Sequence, residues 1–245
     1  MSPSGIHLNK AVVVVIVGLF VGVIAVYRFL HAPKSKTMAD TGNTVSITLG
    51  DKTLPIYTQS SKPAGVPKFD ILFLHGSSFT SQNWVVINTL KLASDAGYNA
   101  VAVDLPGYGK SSKVKVDDKV KFMEALIAGL KLSKPVIVSP SMSGSFSLPF
   151  LFSDPESATT RAQGFVAVAP VQTTTYKDKY SKSQIPTLIV FGSRDTNLGA
   201  ESKTNLQALP KKKILMIEGA GHACYLDNPA EFHKGLFDFL STLSK

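Results

Sequence analysis

The sequence predicts one α/β domain, a mostly parallel sheet with helices on both faces, preceded by one transmembrane helix. Three observations point there. Beyond about residue 70, short apolar runs alternate with helix-length amphipathic stretches, the pattern of strands joined by crossover helices and paired in parallel. Runs such as 136–138 and 188–191 are apolar at every position, as strands buried on both faces are. Residues 11–27, AVVVVIVGLFVGVIAVY, hold no charge.

Composition excludes several classes. With 245 residues, 44% hydrophobic and 18% charged, the chain is long enough for one large domain and too apolar for disorder. Its 18 Gly and 14 Pro follow no period, which excludes collagen-like and low-complexity arrays. The single cysteine, Cys224, permits no intramolecular bridge, and no His/Cys cluster has metal-ligand spacing. The net charge of +9 comes from dispersed lysines without aromatic interleaving, so nucleic acid is not an expected partner. The densest run, Lys211-Lys212-Lys213, precedes an apolar segment and reads as a solvated strand edge. The positive balance suits an anionic membrane surface.

The N-terminal apolar run, with Leu30 beyond Arg28, approaches the roughly 20 residues that cross a bilayer as a helix. Gly18 and Gly22 among many valines make a poor soluble helix. A cleavable signal peptide is the alternative. It requires a small-x-small site, whereas Tyr27-Arg28-Phe29-Leu30-His31 follows, which favours retention. Lys10 precedes the span while Arg28, Lys34 and Lys36 follow it, a slight bias toward a cytosolic C-terminal domain. The absence of any Asn-x-Ser/Thr sequon agrees with that orientation. The expected organisation is a tail over 1–10, a membrane anchor over 11–30, a polar linker over 31–43 and the α/β domain over 44–245.

Within the domain, residues 45–49 and 54–57 read as a hairpin around Gly50-Asp51, and 70–74 as a buried strand. A helical pattern near 83–96 follows, then a strand at 100–103, a helix near 117–130 and a strand at 136–138. A helix after Met142 leads to strands at 165–169 and 188–191. A helix near 201–209, a strand at 214–217 and an amphipathic helix over 229–243 complete the order.

Three strand ends carry chemistry. The stretch Ser139-Pro140-Ser141-Met142-Ser143-Gly144 places Ser141 just past a buried strand and just before a helix, where a nucleophile is exposed and helix N–H groups face an oxyanion. The usual Gly-x-Ser-x-Gly is altered, since Ser139 and Ser143 replace both glycines. Ser139 or Ser143 are alternative nucleophiles by composition; position favours Ser141, because the apolar run ends at Val138. At the end of an earlier strand, Leu74-His75-Gly76-Ser77 offers the backbone N–H of Ser77 to pair with that of Met142 as an oxyanion hole. His75 itself reads as a turn-forming residue, and Asp104, in the glycine-rich Asp104-Leu105-Pro106-Gly107-Tyr108-Gly109 loop, as structural. Asp195 and His222 then follow two successive strands, completing the chain order Ser, Asp, His. His7 and His31 flank the apolar run, and His233 lies in the last helix, where a surface or interface role is expected. Asp227 is expected to lead into that helix through Asn228-Pro229.

Together these residues resemble the α/β-hydrolase superfamily from about residue 45 to 245. The Ser-Pro-Ser-Met-Ser-Gly elbow, the Ser-Leu-Pro-Phe-Leu that follows and the compact length resemble the abhydrolase domain-containing protein 14 family, in particular its membrane-anchored branch. The resemblance implies an α/β-hydrolase fold without a separate cap domain, with Ser141 as nucleophile, Asp195 as acid and His222 as base. It also implies hydrolysis or transfer of small acyl groups, including acetyl groups on lysine. Only 171–186 separates two of the strands, too little for a lid domain, which favours short acyl chains. The expected substrate is a small or acylated molecule bearing an ester, thioester or amide. No cofactor is required, and the acyl acceptor is water or a thiol such as coenzyme A. A non-catalytic interaction module at a membrane is the alternative.

Overall fold

The computed structural model describes residues 42–243. The tail, the apolar run over 11–30 and most of the linker lie outside them, and among the described residues no helix is long and apolar enough to cross a membrane.

Strands β1 (Asn43–Leu49) and β2 (Lys52–Ser61) form the expected hairpin, with Leu49 opposite Lys52 across a two-residue turn and Gly50 at φ 64. That left-handed conformation is what a tight hairpin turn demands and glycine adopts freely. Strand β3 (Asp70–Phe73) is followed by α1 (Gln82–Val86) and α2 (Thr89–Asp95). Here the pattern over 83–96 is two helices, because Asn88 takes a left-handed φ of 59 and interrupts the helix between them. An asparagine side chain tolerates that conformation, so the break leaves the apolar periodicity unmarked.

Strand β4 (Asn99–Val103) leads to α3 (Lys119–Gly129), whose N-cap is the Asp118 carboxylate, accepting from the N–H of Lys121. Then come β5 (Val136–Pro140), a 3₁₀ turn Ser141–Ser143, α4 (Gly144–Phe152) and α5 (Ala158–Arg161). Strand β6 (Gly164–Val168) is followed by a 3₁₀ turn Thr173–Tyr176 and α6 (Lys177–Tyr180), the only helical turns within 171–186, so no cap domain stands there. Strand β7 (Thr187–Gly192), α7 (Leu198–Leu206), β8 (Lys212–Ile217), α8 (Cys224–Asp227) and α9 (Pro229–Leu240) complete the fold. Helix α9 stops three residues short of the expected 243, and α7 starts three before the expected 201.

The eight strands are ordered β1-β2-β4-β3-β5-β6-β7-β8. Pairing is parallel from β4 to β8 and antiparallel at β1–β2 and β2–β4. Alternate side chains enter two cores. Leu72, Val101 and Ile137 meet Phe122, Phe146 and Leu206 on one face, while Ile71, Ala100 and Val138 meet Trp84, Phe232 and Leu236 on the other. This two-sided burial produces the uninterrupted apolar runs. Edge strand β8 keeps Lys212 and Lys213 exposed, as expected of the lysine run.

Candidate active site

The site is assembled at the C-terminal ends of β3, β5, β7 and β8, where parallel α/β sheets present their loops. Strand β5 continues past its apolar run through Ser139 and Pro140 and ends in a sharp turn at Ser141, whose φ is 50. A non-glycine residue there costs on the order of 1–3 kcal/mol and persists only where its surroundings hold it. One such hold is the hydrogen bond from the N–H of Val171 to the carbonyl of Ser141, 3.0 Å, which ties the turn to the segment after β6. A second is the close approach at Gly144, where a Cβ would lie 2.7 Å from both Pro170 Cβ and the Val171 carbonyl oxygen. Gly144 thus permits α4 to pack tightly on the segment after β6, one residue later than the usual pattern places a glycine.

Opposite Ser141, the loop after β8 carries His222. The Nε2 of His222 lies 2.8 Å from Ser141 Oγ and its Nδ1 lies 2.6 Å from Asp195 Oδ2. An ionised carboxylate can only accept, so Nδ1 carries the proton and Nε2 is left bare to accept from the serine hydroxyl. The Asp195 side chain is 6% exposed and the imidazole 40%, so the carboxylate is sheltered while the imidazole faces the cleft. Asp195 is pinned by packing, since a Cβ on Gly199 would approach its side chain to 2.8–2.9 Å. A Cβ on Gly192 would lie 2.2 Å from the carbonyl oxygen of Gly221, so glycine is what lets β7 and the histidine loop run together. Neither glycine role was legible in the sequence beyond the bare fact of a glycine at the end of β7 and another in the first turn of α7.

Ser77 lies in the turn closed by the Phe79 N–H donating to the Gly76 carbonyl, 3.1 Å, and borders the same cleft as Ser141 and His222. Met142 follows Ser141 in the 3₁₀ turn, its side chain packed on the core. His75 is buried with Nδ1 donating to the Gly76 carbonyl, 2.8 Å, and Nε2 accepting from the Leu105 N–H, 2.9 Å; burial holds its pKa below the ordinary value. Both nitrogens are therefore used in shaping the turn that carries Ser77. Asp104 is likewise structural, accepting from the N–H groups of Ser81 and Lys110. Of the surface or interface role expected for His233, the structure shows an interface between helices: its Nε2 lies 2.9 Å from Thr89 Oγ1 and joins α9 to α2. Asp227 leads into α9 as expected, directly before its N-cap Asn228; it also accepts from the N–H of Gly221 at 2.7 Å and so braces the loop bearing His222.

The cleft above Ser141 measures about 50 Å³, and its lining includes Gly76, Phe79, Ala223 and Tyr225. A larger cavity of about 510 Å³ lies at the opposite ends of the strands, against Thr187, Lys211 and Phe239, remote from the serine and histidine. The smaller cleft is the one that holds a serine hydroxyl and an imidazole in hydrogen-bonding contact. Among the described residues no group of three His, Cys, Asp or Glu side chains could hold a metal ion.

The chain is similar to several known proteins. Residues 71–174 match the Alpha/beta hydrolase family. Protein ABHD14A of Danio rerio is 44% identical over 183 residues, 73% of this chain and 66% of that protein, so the match spans just under two thirds of that relative. ABHD14B of Rattus norvegicus, which its name offers as a candidate protein-lysine deacylase, is 42% identical over 184 residues, covering 72% of this chain and 85% of that protein. The crystal structure of a CIB-like hydrolase from Thermoplasma acidophilum superimposes with a TM-score of 0.73 at 26% identity, over 82% of this chain and 99% of that one.

Proposed function

Because the chain belongs to the alpha/beta hydrolase family, we propose that it is a serine hydrolase or acyltransferase acting on small acyl esters, thioesters or amides. The observation that carries this reading is the pair of hydrogen bonds joining Ser141, His222 and Asp195, 2.8 and 2.6 Å long. Ser141 Oγ bonds to the acyl carbon as its proton passes to His222 Nε2, and the carboxylate of Asp195 stabilises the imidazolium. The backbone N–H groups of Ser77 and Met142 receive the oxyanion. The imidazolium then protonates the leaving alcohol, thiol or amine as its bond to the acyl carbon breaks, leaving an acyl-enzyme. Water, or a thiol such as that of coenzyme A, gives its proton to His222 and takes the acyl group, restoring Ser141. No metal or cofactor enters these steps.

The narrow cleft supports short acyl chains, and the name of the rat relative supports acylated lysine side chains among the amides. Residues 11–30 serve in this reading as a single-pass anchor, with the hydrolase domain on the cytosolic side; the uncharged run over 11–27 supports it. The test is covalent labelling of the purified protein by a fluorophosphonate. The wild type labels and Ser141→Ala does not. Absence of labelling in folded wild type would instead support a non-catalytic module at a membrane.

A further inference from the structure

Behind the nucleophile stand three fully buried serines, Ser139 and Ser143 where the usual pattern has two glycines and therefore no side chains, and Ser147 one turn further along α4. Ser143 Oγ donates to the carbonyl oxygen of Pro140 at 2.7 Å. Ser139 Oγ lies 3.0 Å from Ser143 Oγ and 2.7 Å from Ser147 Oγ. A hydroxyl has one proton, and that of Ser143 is committed to Pro140, so Ser139 donates to Ser143 and Ser147 donates to Ser139. The protons therefore run one way, from Ser147 through Ser139 and Ser143 to the Pro140 carbonyl. Each bond in such a chain polarises the next, in a site from which water is excluded.

The end of this chain bridges the reactive turn. Pro140 immediately precedes Ser141 and Ser143 follows Met142, so the bond from Ser143 to Pro140 closes a loop that contains the nucleophile and the N–H assigned to the oxyanion. Proline has no N–H of its own to help fix that end of the strand. The turn thus holds Ser141 at φ 50 with side-chain help that Gly-x-Ser-x-Gly sequences do without.

We infer that Ser143 is a positioning residue, which with Ser139 and Ser147 behind it clamps the Pro140–Ser143 turn so that Ser141 Oγ and the Met142 N–H are held in register for acyl transfer. The inference rests on Ser141 being the nucleophile. It assigns to the substituted glycine positions a function in the rate rather than mere tolerance of a small side chain.

The test is the rate of fluorophosphonate inactivation of the full-length protein, resolved into the maximal rate and the half-saturating concentration, with thermal melting in parallel. Ser143→Ala should lower the maximal rate about tenfold, equivalent to about 1.4 kcal/mol at 1.36 kcal/mol per decade. Half-saturation should stay within about twofold, and the pH midpoint of inactivation should not move, because His222 and Asp195 are untouched. Ser147→Ala, at the far end of the chain, should have a smaller effect of about threefold. A maximal rate in Ser143→Ala within about twofold of wild type, whatever the melting temperature does, would overturn the clamp. If Ser143→Ala does not fold, Ser139→Ala decides: it keeps the bond to Pro140 but removes the donor behind it, and an unchanged maximal rate overturns the inference. Failure of the underlying reading looks different, since Ser141→Ala would then still be labelled.

Discussion

Substituting Gly192 by alanine tests whether the meeting of β7 and the histidine loop sets the catalytic geometry. The new Cβ would lie 2.2 Å from the Gly221 carbonyl oxygen, 2.3 Å from that of Ala220 and 2.6 Å from the Ala220 carbonyl carbon, where ordinary contact begins at 3.4 Å. All three are backbone atoms, so no rotamer change relieves the overlap, and the loop has to retreat by roughly 1 Å. The loop is also tied to the strand end, through the Ser193 N–H to the Ile217 carbonyl at 3.0 Å and the Arg194 N–H to the Ala220 carbonyl at 2.9 Å. The retreat therefore strains those bonds and carries His222 with it. Hydrogen bonds of 2.6 and 2.8 Å to Asp195 and Ser141 do not survive an added ångström. A displacement of that size costs on the order of 10²-fold in rate, and the overpacking costs about 1–3 kcal/mol of stability. The assay is the fluorophosphonate inactivation rate beside a urea unfolding curve. Gly65→Ala is the control, because nothing lies within 4 Å of its Cβ position. If Gly192→Ala reacts within about threefold of wild type, the histidine loop can yield without moving the imidazole, and the steric argument is refuted.

The roles of the two candidate acids separate by size of effect. Asp195→Asn should keep the fold and lower the rate on the order of 10⁴-fold, whereas Asp227→Ala, which only releases the Gly221 N–H, should cost about tenfold. Equal losses in single-turnover rate would reassign the acid. Stability should also fall on acidification. His75 and His233 are both held below the ordinary value of 6.5 by burial, so the unfolded chain binds more protons than the native one in that range. Their contribution is fully present above about pH 6.5 and is lost as pH falls through the lowered native values. The urea midpoint should accordingly decline from pH 7.5 to pH 5, and less steeply in His233→Gln; an equal decline in that variant would remove His233 from the explanation.

What the sequence by itself determined is set by interactions along short stretches of chain. The Gly50-Asp51 turn, the apolar strand runs, and the Ser, Asp, His order at strand ends all follow from neighbours within a few residues, and the parallel pairing follows from the alternation of those runs with helices. Some local features still escaped, as at Asn88, where an αL residue splits one helical pattern into two without changing its periodicity. Asp227 leads into the last helix through Asn228 and Pro229 as expected, but its bond from the N–H of Gly221 was not legible, because it lies across a loop that has no periodicity to read. Only the tertiary structure decided that Ser141 and His222, 81 residues apart, stand 2.8 Å from each other. The same holds for the close approach at Gly192 and for the serines at 139 and 143, which compose a hydrogen-bonded chain rather than a degraded motif. Those placements depend on sub-ångström packing between backbone segments brought together by the sheet, and residue order carries the identity of the side chains but not the distance between them.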